Sequence, residues 1–316
     1  MLKSTGIILG ILVVLLAAAW LKLRGPDIPY ETLEAKYTNG ASRFIDLPGG
    51  FHVHYQDDGD LGAPTLVLLH GYGDSYTSWE GWVQRLKTRF HLLSVDFPGH
   101  GLTRAPERYQ LSGDGLADFV DAFAAQLSLP KFAVAGNSMG GGVAWQLALR
   151  HPQRINSLIL VDAAGFPNEK PPAAVPLAFK ILKFPLGRAL LRNIDNRPLI
   201  DEGLKADVYD KALITPALVD RWAEFQRAPG HRAILMSVSM SSLMSASPEV
   251  LRGINVPTLI LHGGNDVLIE PTSAGKFAAA IPGATVLIYP NVGHLPQIEI
   301  PQRSSADVAE FLKASR

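Results

Sequence analysis

Short apolar runs alternate with segments of helical periodicity along most of the chain. The apolar runs have the length of buried strands and are bounded by glycine, proline and polar residues, whereas the segments between them repeat apolar residues every three or four positions. This alternation predicts an α/β fold with a mostly parallel sheet flanked by helices. We expect eight strands, near residues 42–47, 51–56, 65–70, 90–95, 131–136, 155–161, 256–262 and 284–289.

The alternation stops between Asp162 and Val256. Prolines at positions 167, 171, 172 and 176 open this stretch, and several short segments with the apolar faces of helices follow. We interpret the stretch as a helical cap, at about residues 166–252, inserted after the sixth strand. A cap in this position would exclude water from a site beneath it and would shape a substrate pocket.

Several apolar side chains of the cap are candidates for the wall of such a pocket. Met236, Met240 and Met244 follow one another at four-residue steps, on a helix that we expect to begin near His231. Methionine adapts to irregular apolar ligands, but the same spacing also describes ordinary packing of a helix. The same two interpretations apply to the aromatic residues Phe166, Phe179, Phe184, Trp222 and Phe225. We predict that Trp222, Met236 and Met240 bind substrate.

The first 24 residues form a separate apolar segment. Residues 6–21 contain no charged residue, and a helix over residues 4–23 would span about 30 Å, which is the thickness of a bilayer core. Trp20 and the positive charges that follow it would suit the membrane interface. We therefore predict a single-pass N-terminal membrane anchor at residues 1–24, with the globular domain favoured on the extracytoplasmic side.

A cleaved signal peptide is the alternative for the same segment. Lys3 would be its charged start, and the small residues Ala17 to Ala19 would be its cleavage site. Residues 25–40 contain two prolines and mixed polar residues, so we interpret them as a linker to a globular domain at residues 41–316.

One strand-turn-helix segment carries the most informative chemistry. Ser138 lies in the pattern Gly-x-Ser-x-Gly, between an apolar run and residues that favour a helix. A serine at the tip of such a turn has a positive φ, and the residues two before and two after it crowd each other, so Gly136 and Gly140 fit there. The dipole and free N–H groups of the following helix favour negative charge on a substrate oxygen. Ser138 is therefore a candidate nucleophile.

Two later strands end in the partners that a nucleophilic serine requires. A serine hydroxyl needs a base, and a histidine base needs a carboxylate that orients it. One apolar strand runs into a glycine turn that ends at Asp266, and another runs into a Gly-His loop that ends at His294. The order Ser138, Asp266, His294 is expected when successive strands deliver residues to one edge of a parallel sheet. Asp162, at the end of the sixth strand, is the alternative carboxylate.

The loop after the third strand is the candidate for the remaining part of the site. An apolar run leads into His70-Gly-Tyr72-Gly, a glycine-flanked loop whose amides can face Ser138. An oxyanion hole needs two preorganised N–H donors, and the backbone amides of Tyr72 and Met139 are the obvious pair.

These motifs together resemble the landmarks of the α/β-hydrolase fold superfamily, and the resemblance covers residues 41–316. In chain order, the shared landmarks are His70-Gly71 followed by Trp79, Asp96-Phe-Pro-Gly-His-Gly101, Gly136-Asn-Ser-Met-Gly140, Gly264-Asn-Asp266 and Gly293-His294. The resemblance implies a serine hydrolase that uses a catalytic triad and no cofactor.

Four other polar residues are expected to have structural roles. Asp96 and His100 would hold the turn beside the site, and His70 would brace the oxyanion loop. His262, inside an apolar strand, would be a hydrogen-bonded core histidine.

Within the superfamily, the chain resembles membrane-anchored monoacylglycerol lipases and carboxylesterases, which implies a lipid or small-molecule ester as substrate. The first alternative is a carbon–carbon bond hydrolase that acts on vinylogous diketones from aromatic-ring cleavage, a family that Asn137 and the pair Arg221-Trp222 resemble. Against it, Leu295 stands where such enzymes carry a tryptophan. A cofactor-free perhydrolase and a non-catalytic ligand-binding protein are further alternatives.

Composition argues against other classes of partner. Lys and Arg together number 29 and equal Asp and Glu together, so no basic excess is left for binding nucleic acid. The chain has no cysteine for a disulfide or a thiolate metal site. Its nine histidines are scattered, and only His52 and His54 are close, on one predicted strand face, so we expect no metal site.

Overall fold

The computed structural model of the protein describes residues 14, 18, 20–169, 176–238 and 240–315, without the side chains of Met240 and Ser241. Eight strands of the described residues form one sheet: β1 Ser42–Leu47, β2 Phe51–Asp58, β3 Thr65–Leu69, β4 His91–Val95, β5 Phe132–Asn137, β6 Ile155–Val161, β7 Thr258–Gly263 and β8 Thr285–Tyr289. Their order across the sheet is β1-β2-β4-β3-β5-β6-β7-β8. β2 is antiparallel to both of its neighbours, and the other pairs are parallel.

This sheet confirms the predicted fold class and all eight predicted strands. The central strands are mostly apolar along their whole length because helices cover both faces of the sheet. In β3, Val67 and Leu69 pack into one hydrophobic cluster and Leu66 and Leu68 into another, and all four are fully buried.

Helices supply the cover on each face. Gly113–Gln126, Met139–Arg150 and Thr272–Ala280 pack on one face, and Glu80–Leu86 and Pro301–Ala314 pack on the other. Other helical elements outside the cap are Tyr30–Tyr37, Pro296–Glu299 and the 3-10 helix Tyr76–Trp79.

The predicted cap is present between β6 and β7. Its helices are Leu177–Leu182, Pro185–Leu191, Arg197–Asp207, Pro216–Gln226, His231–Leu235, Met240–Leu243 and Pro248–Leu251, with the 3-10 helix Lys211–Leu213. The cap has its own small core, in which Leu204, Val219 and Trp222 pack with Leu295 of the sheet domain. The cap is therefore anchored beside the loop that carries His294.

The expected single helix carrying the three cap methionines was wrong. The helix that begins at His231 ends at Leu235, and a separate helix begins at Met240. Ser237 lies between them, and its hydroxyl donates to the carbonyl of Ile234 at 2.6 Å. Serine side chains that bond to nearby backbone compete with helix continuation, which explains the break.

The segment 25–40, predicted as a linker, is packed against the rest of the protein. It contains the helix Tyr30–Tyr37, whose Leu33 is fully buried with Phe225 of the cap. Lys36 Nζ also contacts a Glu224 carboxylate oxygen at 2.7 Å. Apolar residues at these positions therefore join the cap to the sheet domain, and the proposed domain boundaries remain a prediction.

The predicted membrane-spanning anchor is contradicted. No helix among the described residues is both long enough and apolar enough to cross a bilayer, so the transmembrane helix and the membrane localisation inferred from it were wrong. A span needs a helix of about 20 apolar residues, and the described helices do not meet this requirement. Residues 1–13, 15–17 and 19, on which much of the prediction rested, lie outside the described residues.

Candidate active site

Ser138 occupies a strained turn between β5 and the helix Met139–Arg150. Its backbone angles are φ 54° and ψ −117°, a conformation that non-glycine residues rarely adopt. Hydrogen bonds hold it: its amide donates to the carbonyl of Val161 at 3.0 Å, and its carbonyl accepts from Ala164 and Gly142 at 2.9 and 3.0 Å. The side chain is thereby presented at the carboxyl edge of the sheet.

The two glycines around Ser138 are required by close backbone contacts. A Cβ on Gly136 would lie 2.1 Å from the carbonyl oxygen of Gly140. A Cβ on Gly140 would lie 2.1 Å from the carbonyl oxygen of Leu69, at the end of β3. The crowding expected from the sequence is therefore present, and it extends to the neighbouring strand.

The loop after β3 lies directly against this turn. A Cβ on Gly71 would lie 3.4 Å from Ser138 Cβ and 3.2 Å from Asn137 Oδ1. Within the described part of the chain, the backbone amides of Tyr72 and Met139 donate no hydrogen bond to a protein acceptor. Two unpaired amides beside the serine are what an oxyanion hole requires, so their assignment stays a prediction that the local geometry favours.

His70 braces the oxyanion loop, as expected. Its Nδ1 donates to the Gly71 carbonyl at 2.7 Å, and its Nε2 accepts from the Phe97 amide at 3.0 Å. Burial lowers the pKa of His70, which keeps the ring neutral in this role.

Asp96 is also structural, since its carboxylate accepts from the Tyr76 and Leu102 amides at 2.7 and 3.0 Å. His100 is buried beside the Tyr72 ring, and its Nδ1 bonds to the Pro98 carbonyl at 3.0 Å.

Asp266 and His294 form a buried pair. His294 Nδ1 lies 2.6 Å from Asp266 Oδ2, and Asp266 Oδ1 accepts from the amides of Leu268 and Ile269 at 2.7 and 3.0 Å. This contact fixes the proton of the imidazole on Nδ1, which leaves Nε2 as an acceptor. No hydrogen bond joins Ser138 Oγ to His294 among the described residues, and such bonds often tighten only in the substrate complex.

The two ionisable groups shift each other's pKa in opposite directions. Burial opposes charge on both, but it is outweighed by their mutual attraction and hydrogen bond. The pKa of Asp266 is lowered and the pKa of His294 is raised. The pair therefore consists of an ionised carboxylate and a histidine with increased affinity for a proton, as a general base requires.

Asp162, the alternative carboxylate, lies beside Asp266 instead of contacting His294. Its Oδ1 accepts from the Gly263 amide at 2.9 Å, and burial together with the charge of Asp266 raises the pKa of Asp162 well above its usual range. His262 donates from Nε2 to the Ile269 carbonyl at 3.0 Å, so it is the hydrogen-bonded core histidine that the sequence predicted.

Asp162, His262 and Asp266 also form the one carboxylate–histidine cluster of the described residues whose ligand atoms lie within 4.8 Å of one another. His262 Nε2 is a donor to a carbonyl, and Asp266 Oδ2 is bonded to His294. These atoms are engaged in protein hydrogen bonds, so the cluster is better described as support for the triad than as a set of metal ligands.

The residues that hold the His294 loop were not predicted from the sequence. Asn137 Nδ2 donates to the carbonyls of His294 and Val161 at 3.0 and 3.2 Å. The two carboxylate oxygens of Glu299 accept from the amides of Gly293 and Tyr209, each at 2.7 Å. The His294 amide donates to the backbone carbonyl of Asp207 at 2.6 Å. These contacts join residues far apart in the chain, and only the position of Asn137 beside the nucleophile offered a signal.

A largely apolar cavity of about 380 Å³ opens at Ser138. Most of its described lining is apolar, including Phe179, Met236 and Met244 from the cap, whereas Lys183 and Arg188 add positive charge. Met236 therefore lies on the cavity wall, and its role in substrate binding stays a prediction. The side chain of Met240 lies outside the described residues. The size falls within the range of small-molecule sites.

Trp222 lines a second, smaller cavity of about 100 Å³ that adjoins the first. Arg221, its neighbour in the sequence, lines neither cavity and contacts Glu80 Oε1 at 2.8 Å. Phe166, Phe184 and Phe225 also line neither cavity, and Phe184 is 65% exposed.

Comparison with known proteins gives the family of this arrangement. Residues 64–301 match the model of the alpha/beta hydrolase fold. The chain is 28% identical over 291 residues to a 2-hydroxy-6-oxononadienedioate/2-hydroxy-6-oxononatrienedioate hydrolase of Cupriavidus pinatubonensis, covering 86% of this chain and 96% of the relative. It is 27% identical over 265 residues to a pimeloyl-[acyl-carrier protein] methyl ester esterase of Nitrosomonas europaea, covering 79% of this chain and 96% of that relative.

Among solved structures, a membrane phospholipase A described as a bacterial virulence factor superimposes with a TM-score of 0.75 at 24% identity, covering 99% of both chains. That likeness concerns the fold. Because the family model spans most of the chain and the strand order, nucleophile turn and His-Asp pair agree with it, the protein belongs to the α/β-hydrolase family.

Proposed function

We propose that the protein hydrolyses carboxylic esters with medium or long acyl chains, monoacylglycerols being the favoured class, through Ser138, His294 and Asp266. The observation that carries this proposal is the position of Ser138 on the wall of a cavity lined mainly by apolar side chains. An acyl chain gains free energy by leaving water for such a lining.

In the proposed mechanism, His294 Nε2 removes the proton from Ser138 as Oγ attacks the ester carbonyl carbon. The amides of Tyr72 and Met139 stabilise the oxyanion, and Asp266 stabilises the imidazolium. The bond to the alcohol oxygen then breaks, and His294 returns the proton to that oxygen. A water molecule hydrolyses the acyl-enzyme by the same steps in reverse order.

Turnover of p-nitrophenyl esters from acetyl to palmitoyl, measured beside monoacylglycerols, tests the proposal. We expect kcat/KM to peak at medium or long chains for the full-length protein, and Ser138→Ala to abolish the activity. A peak at acetyl, or turnover that survives in Ser138→Ala, would contradict the proposal.

The second candidate is hydrolysis of a carbon–carbon bond in an acidic substrate. It is supported by Lys183 and Arg188 on the cavity wall, because the relative from Cupriavidus pinatubonensis is named for dioate substrates. Asn137 before the nucleophile is consistent with it. Two observations argue against this candidate. Arg221 forms an ion pair with Glu80, and the residue after His294 is the buried Leu295.

Reversing the two positive charges on the cavity wall separates the two candidate functions. Lys183→Glu with Arg188→Glu should leave little carbon–carbon hydrolysis of a dioate, because carboxylate binding would be lost. The same changes should reduce ester turnover only modestly. A wild-type protein that cleaves a vinylogous 1,5-diketone acid faster than any ester would favour the second candidate.

A further inference from the structure

We propose that the smaller cavity beneath the cap is the subsite for the leaving alcohol and that it selects alcohols with additional hydroxyl groups, such as glycerol. The inference rests on the proposed ester hydrolysis, because a leaving alcohol exists only where an ester is cleaved.

The two cavities meet beside the nucleophile. Tyr72, Phe179, Leu182 and Met236 line both of them. The Tyr72 hydroxyl donates to the Leu235 carbonyl at 2.9 Å, which fixes this side chain between the oxyanion loop and the cap. An ester held at Ser138 would therefore extend its acyl part into the larger cavity and its alcohol part past Tyr72 into the smaller one.

Three unpaired polar atoms distinguish the smaller cavity. Asn196 Oδ1, Asp207 Oδ1 and Trp222 Nε1 are buried and have no hydrogen-bond partner among the described residues, and all three residues line this cavity. Trp222 is only 8% exposed. Buried polar groups are usually paired in folded proteins, so three unpaired atoms around one cavity give a polar ligand in that cavity partners for hydrogen bonds.

The larger cavity lacks this feature. No residue in its described lining carries a buried polar atom without a partner. Both cavities are lined mainly by apolar side chains, but of the two only the smaller one has buried, unpaired polar atoms around it. This difference matches the two halves of an ester between a fatty acid and a polyol.

The character of the unpaired atoms favours hydroxyl groups over a cation. Asn196 Oδ1 and Asp207 Oδ1 can accept a hydrogen bond, and Trp222 Nε1 can donate one. A hydroxyl group can pair with either an acceptor or a donor. Burial raises the pKa of Asp207 to about 7, so this carboxyl is protonated below about pH 7 and can then itself donate. An uncharged polyol can pair all three atoms, whereas an ammonium group would leave Trp222 Nε1 without an acceptor.

The subsite would act during formation of the acyl-enzyme. Ser138 Oγ bonds to the carbonyl carbon, the bond from that carbon to the alcohol oxygen breaks, and the serine proton reaches the departing oxygen through His294. The backbone carbonyl of Asp207 accepts from the His294 amide at 2.6 Å, so the subsite is attached to the loop that carries the general acid. Hydrogen bonds to the remaining hydroxyls would hold the departing oxygen within reach of His294.

Two esters with the same acyl chain test the inference on the full-length protein: 1-monodecanoylglycerol and ethyl decanoate. Trp222→Phe removes the indole N–H and keeps an aromatic ring, and we expect it to lower the ratio of glyceryl to ethyl kcat/KM about tenfold. Asp207→Ala should lower the same ratio. The ratio, and not the absolute rate, is the readout, since a general disturbance of His294 would affect both esters.

Trp79→Phe is the matched control. Trp79 Nε1 is also buried and unpaired among the described residues, but Trp79 lines neither cavity, so the ratio should stay at its wild-type value. A ratio that is unchanged in both Trp222→Phe and Asp207→Ala, or that falls equally in Trp79→Phe, would overturn the subsite.

A binding experiment separates failure of the subsite from failure of the proposed function. Calorimetry on Ser138→Ala should show 1-O-octylglycerol binding about tenfold more tightly than 1-octanol, and adding Trp222→Phe should remove that preference. If the wild type cleaves no ester but the preference is present, the proposed function fails and the polyol site stands. If esters are cleaved and the preference is absent, the subsite is overturned while the function stands.

Discussion

At the scale of single residues, the chemistry of the site depends on how burial and charge are balanced around His294. Its partner Asp266 stays ionised because the histidine and two backbone amides stabilise the carboxylate. The neighbouring Asp162 has no such contact with His294, and its pKa is raised by burial and by the charge of Asp266. Two carboxyl groups in one buried cluster therefore hold different protonation states, which favours Asp266 over Asp162 as the carboxylate of the proposed triad.

Ser138→Ala should lower kcat for the best ester by at least about 10⁴-fold, because the members of a triad act as a unit. It should also abolish labelling by a fluorophosphonate probe, which reacts with a serine only when a base activates it. Gel fluorescence of the labelled protein measures this, and circular dichroism checks that the variant is folded. Labelling that persists in Ser138→Ala would place the nucleophile elsewhere.

Asp266→Asn should change the pH dependence as well as the rate. His294 must be neutral to accept the serine proton, and Asp266 raises the pKa of His294, so the wild-type acid limb of kcat/KM should lie above the ordinary imidazole value of about 6.5. Without the carboxylate, the limb should move to lower pH and the plateau should fall by about 10⁴-fold.

Asp162→Asn is the comparison for that profile. An amide replaces a carboxyl that is already neutral, so the acid limb should stay near its wild-type position. A larger shift in Asp162→Asn than in Asp266→Asn would reverse the assignment of the two carboxylates.

At the scale of elements, the site depends on how closely β3, β5 and the helix after Ser138 approach one another. The space at Gly140 is closed by backbone oxygens of Leu69 and His70, which lie 2.1 and 2.6 Å from the point that a Cβ would occupy. Backbone atoms of a central strand cannot move without breaking the sheet ladder. The nucleophile turn is therefore coupled to the oxyanion loop through direct contact of main chains.

Gly140→Ala should consequently destabilise the protein by about 2 kcal/mol or more, since overpacked sites that cannot relax cost this much. Gly275→Ala is a matched helix substitution with nothing within 4 Å of the added Cβ, and it should stabilise by about 0.5–1 kcal/mol. Urea unfolding of both variants measures the difference. Equal stabilities would show that the crowding at Gly140 is relieved by small shifts.

At the scale of the whole molecule, the cap and the sheet domain each contain a carboxyl group that is buried on folding. Burial raises the pKa values of Asp74 and Asp207 to about 7. Asp74 lies in the loop after β3 and is 2% exposed, and its Oδ2 has no partner among the described residues. Such groups remain protonated in the folded protein at pH values where the unfolded chain has already released the proton.

The free energy of unfolding should therefore fall as pH rises. The pKa of Asp74 is about 7 in the folded protein and about 4 in the unfolded chain. Its contribution to stability is therefore fully present below about pH 4 and is lost as pH rises through about 7. Asp74→Asn removes one such group, so its Tm relative to wild type should be higher at pH 8 than at pH 4.5. Scanning calorimetry measures this, with exposed Asp60→Asn as a control whose relative Tm should be the same at both pH values.

Local patterns were sufficient for much of the fold and for the chemical identity of the site. The bounds of β1 and β6 agree with the apolar runs because those runs end at turn-forming residues. Ser138, Asp266 and His294 could be predicted as a triad because each follows a strand at the same edge of the sheet, and their catalytic role stays a prediction. The membrane span predicted from the apolar N-terminal segment was wrong, because no helix among the described residues is long and apolar enough to cross a bilayer.

The sequence favoured Asp266 over Asp162 as the partner of His294, but only the tertiary structure shows the 2.6 Å contact across neighbouring loops that supports this preference. Only the tertiary structure also shows the contacts of Asn137 and Glu299, which hold the His294 loop, and the unpaired atoms of Asn196, Asp207 and Trp222 around one cavity. The sequence by itself determined which elements form and which chemistry is available, since both depend on local periodicity and residue type. The distances, burial and pKa values that turn those residues into a site arise from contacts between distant parts of the chain, and these exist only after folding.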